Sequence, residues 1–168
     1  MRLDNESGYI ISRGIRGIEH IINIFGTPQV TAGILQAKTA AIAIGIGMAT
    51  HEEIDLHGIV NATRLAMCSA VAKLVRRPDS LLIDAVTLPK LTIPQKSFIR
   101  GDNISLSIAA ASIVAKVARD RMMRDYDLTY PGYGFARHKG YPTTEHFRAL
   151  KILGPCPKIP TAMNNWPG

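Results

Sequence analysis

The sequence predicts an α/β layered domain. Three observations lead there. Short apolar runs of strand length alternate with segments of helical period from residue 40 onward. The helical segments carry their own start and stop signals. The chain of 168 residues is the length of one globular unit.

Residues 1–40 hold seven isoleucines from Ile10 to Ile24 among glycines and arginines, with no sustained period of 2 or 3.6. They specify neither strand nor helix, and Gly26-Thr27-Pro28 is a turn signal. Residues 41–47 alternate large and small side chains, as a strand with one closely approached face would. Thr50-His51-Glu52-Glu53 has the capping-box form, so a helix begins there. Gly58 breaks it, and a second amphipathic helix runs to about Arg77 with Ile59, Ala66, Ala70 and Leu74 on one face. Residues 80–84 read as a short buried strand closing on Asp84, and residues 96–100 as another that ends at Gly101-Asp102. Ser105 or Ser107 caps the next helix, which continues to about Asp127. Its first turns are small residues, so its start is expected to be central and well buried, while its second half turns charged. Residues 130–142 form a loop, residues 143–153 a last helix, and residues 158–168 carry no pattern.

Composition narrows the function. Apolar residues make up 46% and charged residues 20%, which argues against wholesale disorder. The longest apolar stretch, residues 40–49, is too short for a membrane span and holds two glycines. Asp4 and Glu6 spoil a signal-peptide layout, and two cysteines are too few for a disulfide scaffold. A cytoplasmic chain with no membrane partner is expected. The formal net charge is +7, and residues 96–151 hold ten basic and five acidic residues, which is +5 of that excess. Such a surface suits polyanions, nucleic acid first.

Two constellations can carry chemistry. Asp84 and Asp102 each follow a short apolar run, at strand ends where α/β sheets place their sites. Two converging carboxylates would repel unless a cation lay between them, and hard oxygen ligands suit Mg²⁺ or Mn²⁺. An aspartate at a strand end is also an ordinary turn former. Second, six of the ten aromatic residues fall between Tyr126 and Phe147, interleaved with Arg137, His138, Lys139 and His146. Basic groups neutralise phosphates and exposed rings stack on bases or sugars. The alternative is a surface loop whose rings fold back on the core. His20, His51 and His57 have no partner at ligand spacing and are expected to be solvated; Cys68 is expected to be packing.

At these residues the chain resembles ribonuclease HII, the type 2 ribonuclease H. The matching text includes Glu52-Glu53-Ile54-Asp55, Leu82-Ile83-Asp84 and Gly101-Asp102. It continues through the helix from Ile108 to Asp120, Tyr130-Pro131-x-Tyr133-Gly134-Phe135, and His138-Lys139-Gly140-Tyr141-x-Thr143-x-x-His146. The resemblance covers residues 40–157. It implies a single ribonuclease H-like domain over residues 1–168, with a mixed five-stranded sheet flanked by helices and N-terminal strands missing or altered. The implied activity is endonucleolytic hydrolysis of RNA in RNA–DNA hybrids, including a lone ribonucleotide in duplex DNA, with Mg²⁺ or Mn²⁺. The partner is that nucleic acid, and the chain is expected to be a monomer. Asp84 and Asp102 match the third and fourth of the family's four carboxylates, as metal ligands and catalytic groups. Tyr141 matches the tyrosine that packs at the RNA–DNA junction. Arg137, His138, Lys139 and Gly140, with Lys116 and Arg119 on the helix, are the expected nucleic-acid contacts.

The ends depart from the family. Its first strand closes on Asp-Glu followed by Gly-Arg-Gly. This chain has no Asp-Glu dipeptide, and Ser12-Arg13-Gly14-Ile15-Arg16-Gly17 is not that motif. After Gly154-Pro155-Cys156-Pro157 the family's His-Arg and Ser-Phe give way to Lys158-Ile159-Pro160-Thr161. Such abrupt departures read as a truncated or frame-shifted product with weak or absent cleavage. A non-catalytic hybrid-binding module and a remnant without a stable fold are the alternatives.

Overall fold

The computed structural model describes residues 8–11 and 43–156, the former as backbone. In chain order the elements are β1 (Gly8–Ile11), α1 (His51–Ala72), β2 (Ser80–Asp84), β3 (Gln95–Phe98), a 3₁₀ turn (Gly101–Asn103), α2 (Leu106–Thr129), α3 (Phe135–His138) and α4 (Thr144–Leu153). The three described strands form a parallel sheet in the order β1-β2-β3. Ile11 pairs with Ile83 on one side of β2, and Asp84 pairs with Phe98 on the other. The edge of β2 expected to lie open is therefore covered by Gly8–Ile11. Residues 12–42 and 157–168, including the Ser12–Gly17 segment, His20 and the patternless tail, lie outside the described residues.

Central β2 places Leu81 and Ile83 on one face, both fully buried. They pack with Met67 and Val71 of α1 and with Leu88 and Ile93 of the β2–β3 connection. Alternation along the strand is what lets one face build this core. Helix α2 lies against β1 and β2. The connection is held by Gln95, whose amide accepts from Leu88 N at 2.7 Å and donates to Leu88 O at 3.0 Å, a side-chain copy of strand pairing. No helix among the described residues is long and apolar enough to cross a membrane.

The capping box at Thr50 forms as expected, with Thr50 N donating to Glu53 Oε2 and Glu53 N to Thr50 Oγ1. Gly58 leaves helical geometry and kinks α1. The helix stops at Ala72 rather than Arg77, with Lys73 as its C-cap. β3 stops at Phe98 because Arg100 adopts a left-handed conformation, φ 56°. Within residues 130–142 the chain forms the short helix α3 instead of an unbroken loop.

Two expectations are corrected. The described part of the 41–47 segment is no strand; it is an extended strap lying on α1. Its large–small alternation has a different cause. A Cβ on Gly45 would lie 2.1 Å from Ala70 O, and one on Gly47 1.9 Å from Ala66 O. The missing side chains let the strap touch the helix backbone, with Lys73 Nζ donating to Ile46 O at 3.0 Å. The start of α2 is also less buried than expected. Leu106 is 87% exposed and Ala109, Ala110 and Ala111 are half-buried, whereas Lys116, Arg119 and Asp120 further along are buried. These charged groups face partners that accept their hydrogen bonds, as described below.

Gly47→Ala is expected to destabilise the chain by about 1–3 kcal/mol through overpacking against a backbone carbonyl. Urea unfolding monitored by circular dichroism measures it. An unchanged midpoint would show that the strap does not bear on α1 in solution.

Candidate active site

The acidic edge is built at the C-terminal ends of β2 and β3. Asp84 closes β2, half-buried, and its Oδ1 accepts from Gly101 N at 2.9 Å. That bond ties the carboxylate to the turn that carries Asp102, the next residue, which is exposed. Ala85 N in turn donates to Phe98 O at 2.7 Å, closing the two strand ends together. Gly101 is buried, and a Cβ there would meet Ile108 Cδ1 at 2.6 Å, so α2 presses directly on this turn. Asp84 and the Asp102 turn are thereby brought to one sheet edge. Among the described residues no third His, Cys, Asp or Glu joins them in a metal-holding group.

The second part is the turn around Tyr141. Lys139 and Gly140 are both left-handed, φ 52° and 75°. Arg119, nearly inaccessible on α2, donates from Nη2 and Nε to Lys139 O at 2.9 and 3.3 Å. Its guanidinium lies 5.1 Å from the Tyr141 ring centroid, and Lys116 Nζ lies 5.7 Å from it. Lys116 also pairs with Asp120 at 2.8 Å. Burial pulls the Arg119 pKa below its ordinary value, against the pull of Tyr141 and Asp120, which favour the cation. Burial pushes the Tyr141 phenol up; Arg119 opposes this and Asp120 reinforces it. The Tyr141 hydroxyl is buried and has no hydrogen-bond partner among the described residues.

Of the expected nucleic-acid contacts, only Arg137 is fully exposed, and it pairs with Glu145. Lys139 is half-buried, its ammonium donating to Ala136 O, and burial lowers its pKa. Gly140 is buried and shapes the turn. His138 is buried with both ring nitrogens engaged, to Tyr133 O at 2.7 Å and from Gly140 N at 3.1 Å. Lys116 and Arg119 reach Tyr141 from inside rather than standing as a solvated basic face. The exposed cations nearby on α2 are Arg121 and Arg124. Tyr133 and Phe135 fold back on the core as a stacked pair, centroids 5.3 Å apart, with Met123, Ala149 and Cys156.

Sequence reasoning missed Asp120. The i, i+4 spacing of Lys116 and Asp120 on a helix was the available signal. His51 is corrected as well: it is not solvated, its side chain being 15% exposed with Nε2 2.9 Å from Glu52 Oε1. His57 is exposed, as expected, and Cys68 packs against the first core cluster.

Backbone geometry marks the same places. Among the described residues the non-glycine positions with positive φ are Ala85, Arg100 and Lys139. They stand one residue from Asp84, two from Asp102 and two from Tyr141. Such conformations cost about 1–3 kcal/mol each and persist where the surroundings enforce them, commonly at functional sites. Helix α2 joins the two parts: ten residues separate Leu106 from Lys116, about 15 Å along the axis at the usual helical rise.

The described strands form a parallel sheet flanked by helices, with Asp84 at the end of β2 and Asp102 in the turn after β3, and this architecture shares the ribonuclease H-like fold of a solved structure. The crystal structure of the ribonuclease H2 from Pyrococcus horikoshii OT3 superposes with a TM-score of 0.62 at 23% identity, covering 80% of this chain and 71% of that one. Residues 17–165 match the family model for ribonuclease HII. The ribonuclease HII of Geobacter metallireducens is 54% identical over 117 residues, 70% of this chain and 55% of the relative. That of Lachnoclostridium phytofermentans is 56% identical over 117 residues, covering 46% of the relative, and that of Chloroflexus aurantiacus 50% over 134 residues, covering 63%. The chain belongs to the ribonuclease HII family. It spans about half the length of the curated relatives it matches.

Tyr141→Phe is expected to leave thermal stability within about 0.5 kcal/mol of the parent, since the hydroxyl it removes supports nothing inside the chain. Calorimetry checks this. A loss above about 2 kcal/mol would mean that the hydroxyl is a structural group with a partner in the fold.

Proposed function

We propose that the chain acts on RNA–DNA hybrids and on duplex DNA holding a single ribonucleotide, cutting on the RNA strand by metal-assisted hydrolysis. The observation that carries this reading is the coincidence of enforced left-handed backbone with Asp84, Asp102 and Tyr141. Family membership supplies the chemistry to which those groups belong.

The donor set suits a hard cation. Asp84 keeps one oxygen on the Gly101 amide and offers the other, while Asp102 is exposed beside it. Mg²⁺ and its close analogue Mn²⁺ suit carboxylate and water oxygens; Mg²⁺ keeps several waters and is commonly held by one or two carboxylates plus substrate phosphate. Asp84 and Asp102 would hold such an ion, which supplies Lewis-acid charge to a phosphoryl group and favours a more nucleophilic water.

The remaining tasks fall to the chain. The Gly101 amide fixes Asp84 through one oxygen at the strand end. Lys116 and Arg119 hold the Tyr141 ring by its face; its hydroxyl, buried and without a partner among the described residues, is uncovered to meet a sugar only as the hybrid seats. A 2′-hydroxyl both donates and accepts hydrogen bonds, so a phenol there discriminates ribose from deoxyribose. Arg121 and Arg124 supply phosphate neutralisation along the exposed side of α2. Turnover is slow in this chain, because the sequence offers no Asp-Glu pair to complete a four-carboxylate set.

The full chain with Mn²⁺ and duplex DNA holding one ribonucleotide is expected to cut at least about a hundredfold more slowly than a four-carboxylate relative, each tenfold being about 1.4 kcal/mol of barrier. Asp84→Asn or Asp102→Asn should remove the residual turnover. Turnover indifferent to both substitutions would refute the assignment. Salt-sensitive binding with no metal requirement and no cleavage would favour the non-catalytic hybrid-binding reading instead.

A further inference from the structure

His138 and His146 stack with ring centroids 4.3 Å apart and planes 16° from parallel. Both meet the edge or face of buried Phe135, at 5.8 and 5.9 Å. Both are buried, 6% and 2% exposed. Between them they hold the Tyr141 turn. Gly140 N donates to His138 Nδ1 at 3.1 Å, so that nitrogen must carry a lone pair. Tyr133 O can only accept, so His138 Nε2, 2.7 Å away, carries the hydrogen. Tyr141 O likewise only accepts, so His146 Nδ1 at 3.0 Å carries a hydrogen. His146 Nε2 is then buried with no partner among the described residues. Thr143 Oγ1 accepts from His146 N and sets the ring one turn into α4. Hydrogen-bond bookkeeping alone fixes one tautomer for each ring and requires His138 to be neutral.

We propose that His138 and His146 are positioning residues, a neutral imidazole pair that presents Tyr141 to the nucleic acid and releases it on acidification. The role rests on the reading that Tyr141 meets the sugar. A proton entering His138 replaces the acceptor of Gly140 N–H by a second donor. A proton entering His146 puts a charge on a buried nitrogen without a partner. Neither ring can take up a proton while the turn stays closed without one of these costs, and two charged rings at 4.3 Å repel. Of the charged groups around the turn, Lys116 and Arg119 on α2 lie against the Tyr141 ring, Lys116 pairs with Asp120, and Arg137 and Glu145 form an ion pair across α3 and α4. Tyr133 and Cys156 complete the cluster, and burial pushes the Tyr133 phenol up, with Cys156 adding to it. In agreement, burial pulls the His146 pKa below its ordinary 6.5, His138 pulls it further, and the Tyr141 carbonyl opposes them. The sign follows: the unfolded or open chain binds more protons below 6.5, so the closed turn is stable above that value and weakens as the pH falls through it.

Long-range ¹H–¹⁵N spectra of the full chain at pH 7.5 are expected to report His138 as the Nε2–H tautomer and His146 as the Nδ1–H tautomer. Exchange protection of the Gly140 amide, corrected for intrinsic rate, should drop at least tenfold between pH 7.5 and 5.5. Affinity for duplex DNA with one ribonucleotide, relative to all-DNA duplex, should fall over the same interval in the parent. His138→Phe should lack that preference at either pH. His138→Asn, which keeps an acceptor near the Nδ1 position and does not titrate, should restore it at pH 7.5 with a smaller pH step, the part that remains belonging to His146. The opposite tautomer on His138, protection unchanged with pH, or a parent-like profile in His138→Phe would overturn the proposal. If the parent shows no ribonucleotide preference at any pH, the reading of Tyr141 falls, and the tautomer and exchange results still decide whether the pair holds the turn.

Discussion

A buried guanidinium is the constraint from which the rest of the site follows. Arg119 sits almost inaccessible on α2, and a charge removed from water must be compensated or it unfolds its surroundings. Compensation comes from one carbonyl, Lys139 O, and from the face of Tyr141. For that carbonyl to point at α2, Lys139 must turn left-handed, which a side chain adopts only under compulsion. Gly140 then continues the turn in the same hand without a Cβ to oppose it. The burial of one cation is thus tied to the backbone of two residues distant from it in sequence.

The acidic edge uses the opposite economy. Asp84 is held by a single backbone amide at a strand end that turns at once on Ala85. Parallel pairing places this end beside that of β3, and the Gly101 turn is packed from above by Ile108. Rigid strands and a helix therefore supply the position, and no ion pair to either carboxylate occurs among the described residues. The Tyr141 side is the reverse, with its cations spent on internal contacts and its hydroxyl left over.

Much of this was legible in the sequence. The Thr50 capping box, the strand closing on Asp84, the Ser105 cap and the helix start at Thr143 are local signals that mark element boundaries in the structure, and the break at Gly58 is a kink within α1. The importance of the 130–146 segment was legible from its aromatic and basic density. The orientation of its members was not. Basic residues in such a segment are expected to face nucleic acid, yet Lys116, Arg119 and His138 find their partners across twenty or fewer residues of intervening chain and turn inward. The strap at residues 43–50 shows the same limit: alternation of glycine and isoleucine looks identical whether the close neighbour is a strand or a helix.

The sequence by itself determined the layer class, the family, the identity of the groups at issue and the main helices and strands from Thr50 onward, since capping, periodicity and motif spacing are written in neighbouring residues. Tertiary structure alone decided which of those groups face outward. It set Asp84 on the Gly101 amide, turned the Arg119 cation to a carbonyl, and stacked two histidines whose protons are fixed by what each ring touches. The reason is that a hydrogen bond or a buried charge is defined by its partner, and these partners come from different elements of the fold.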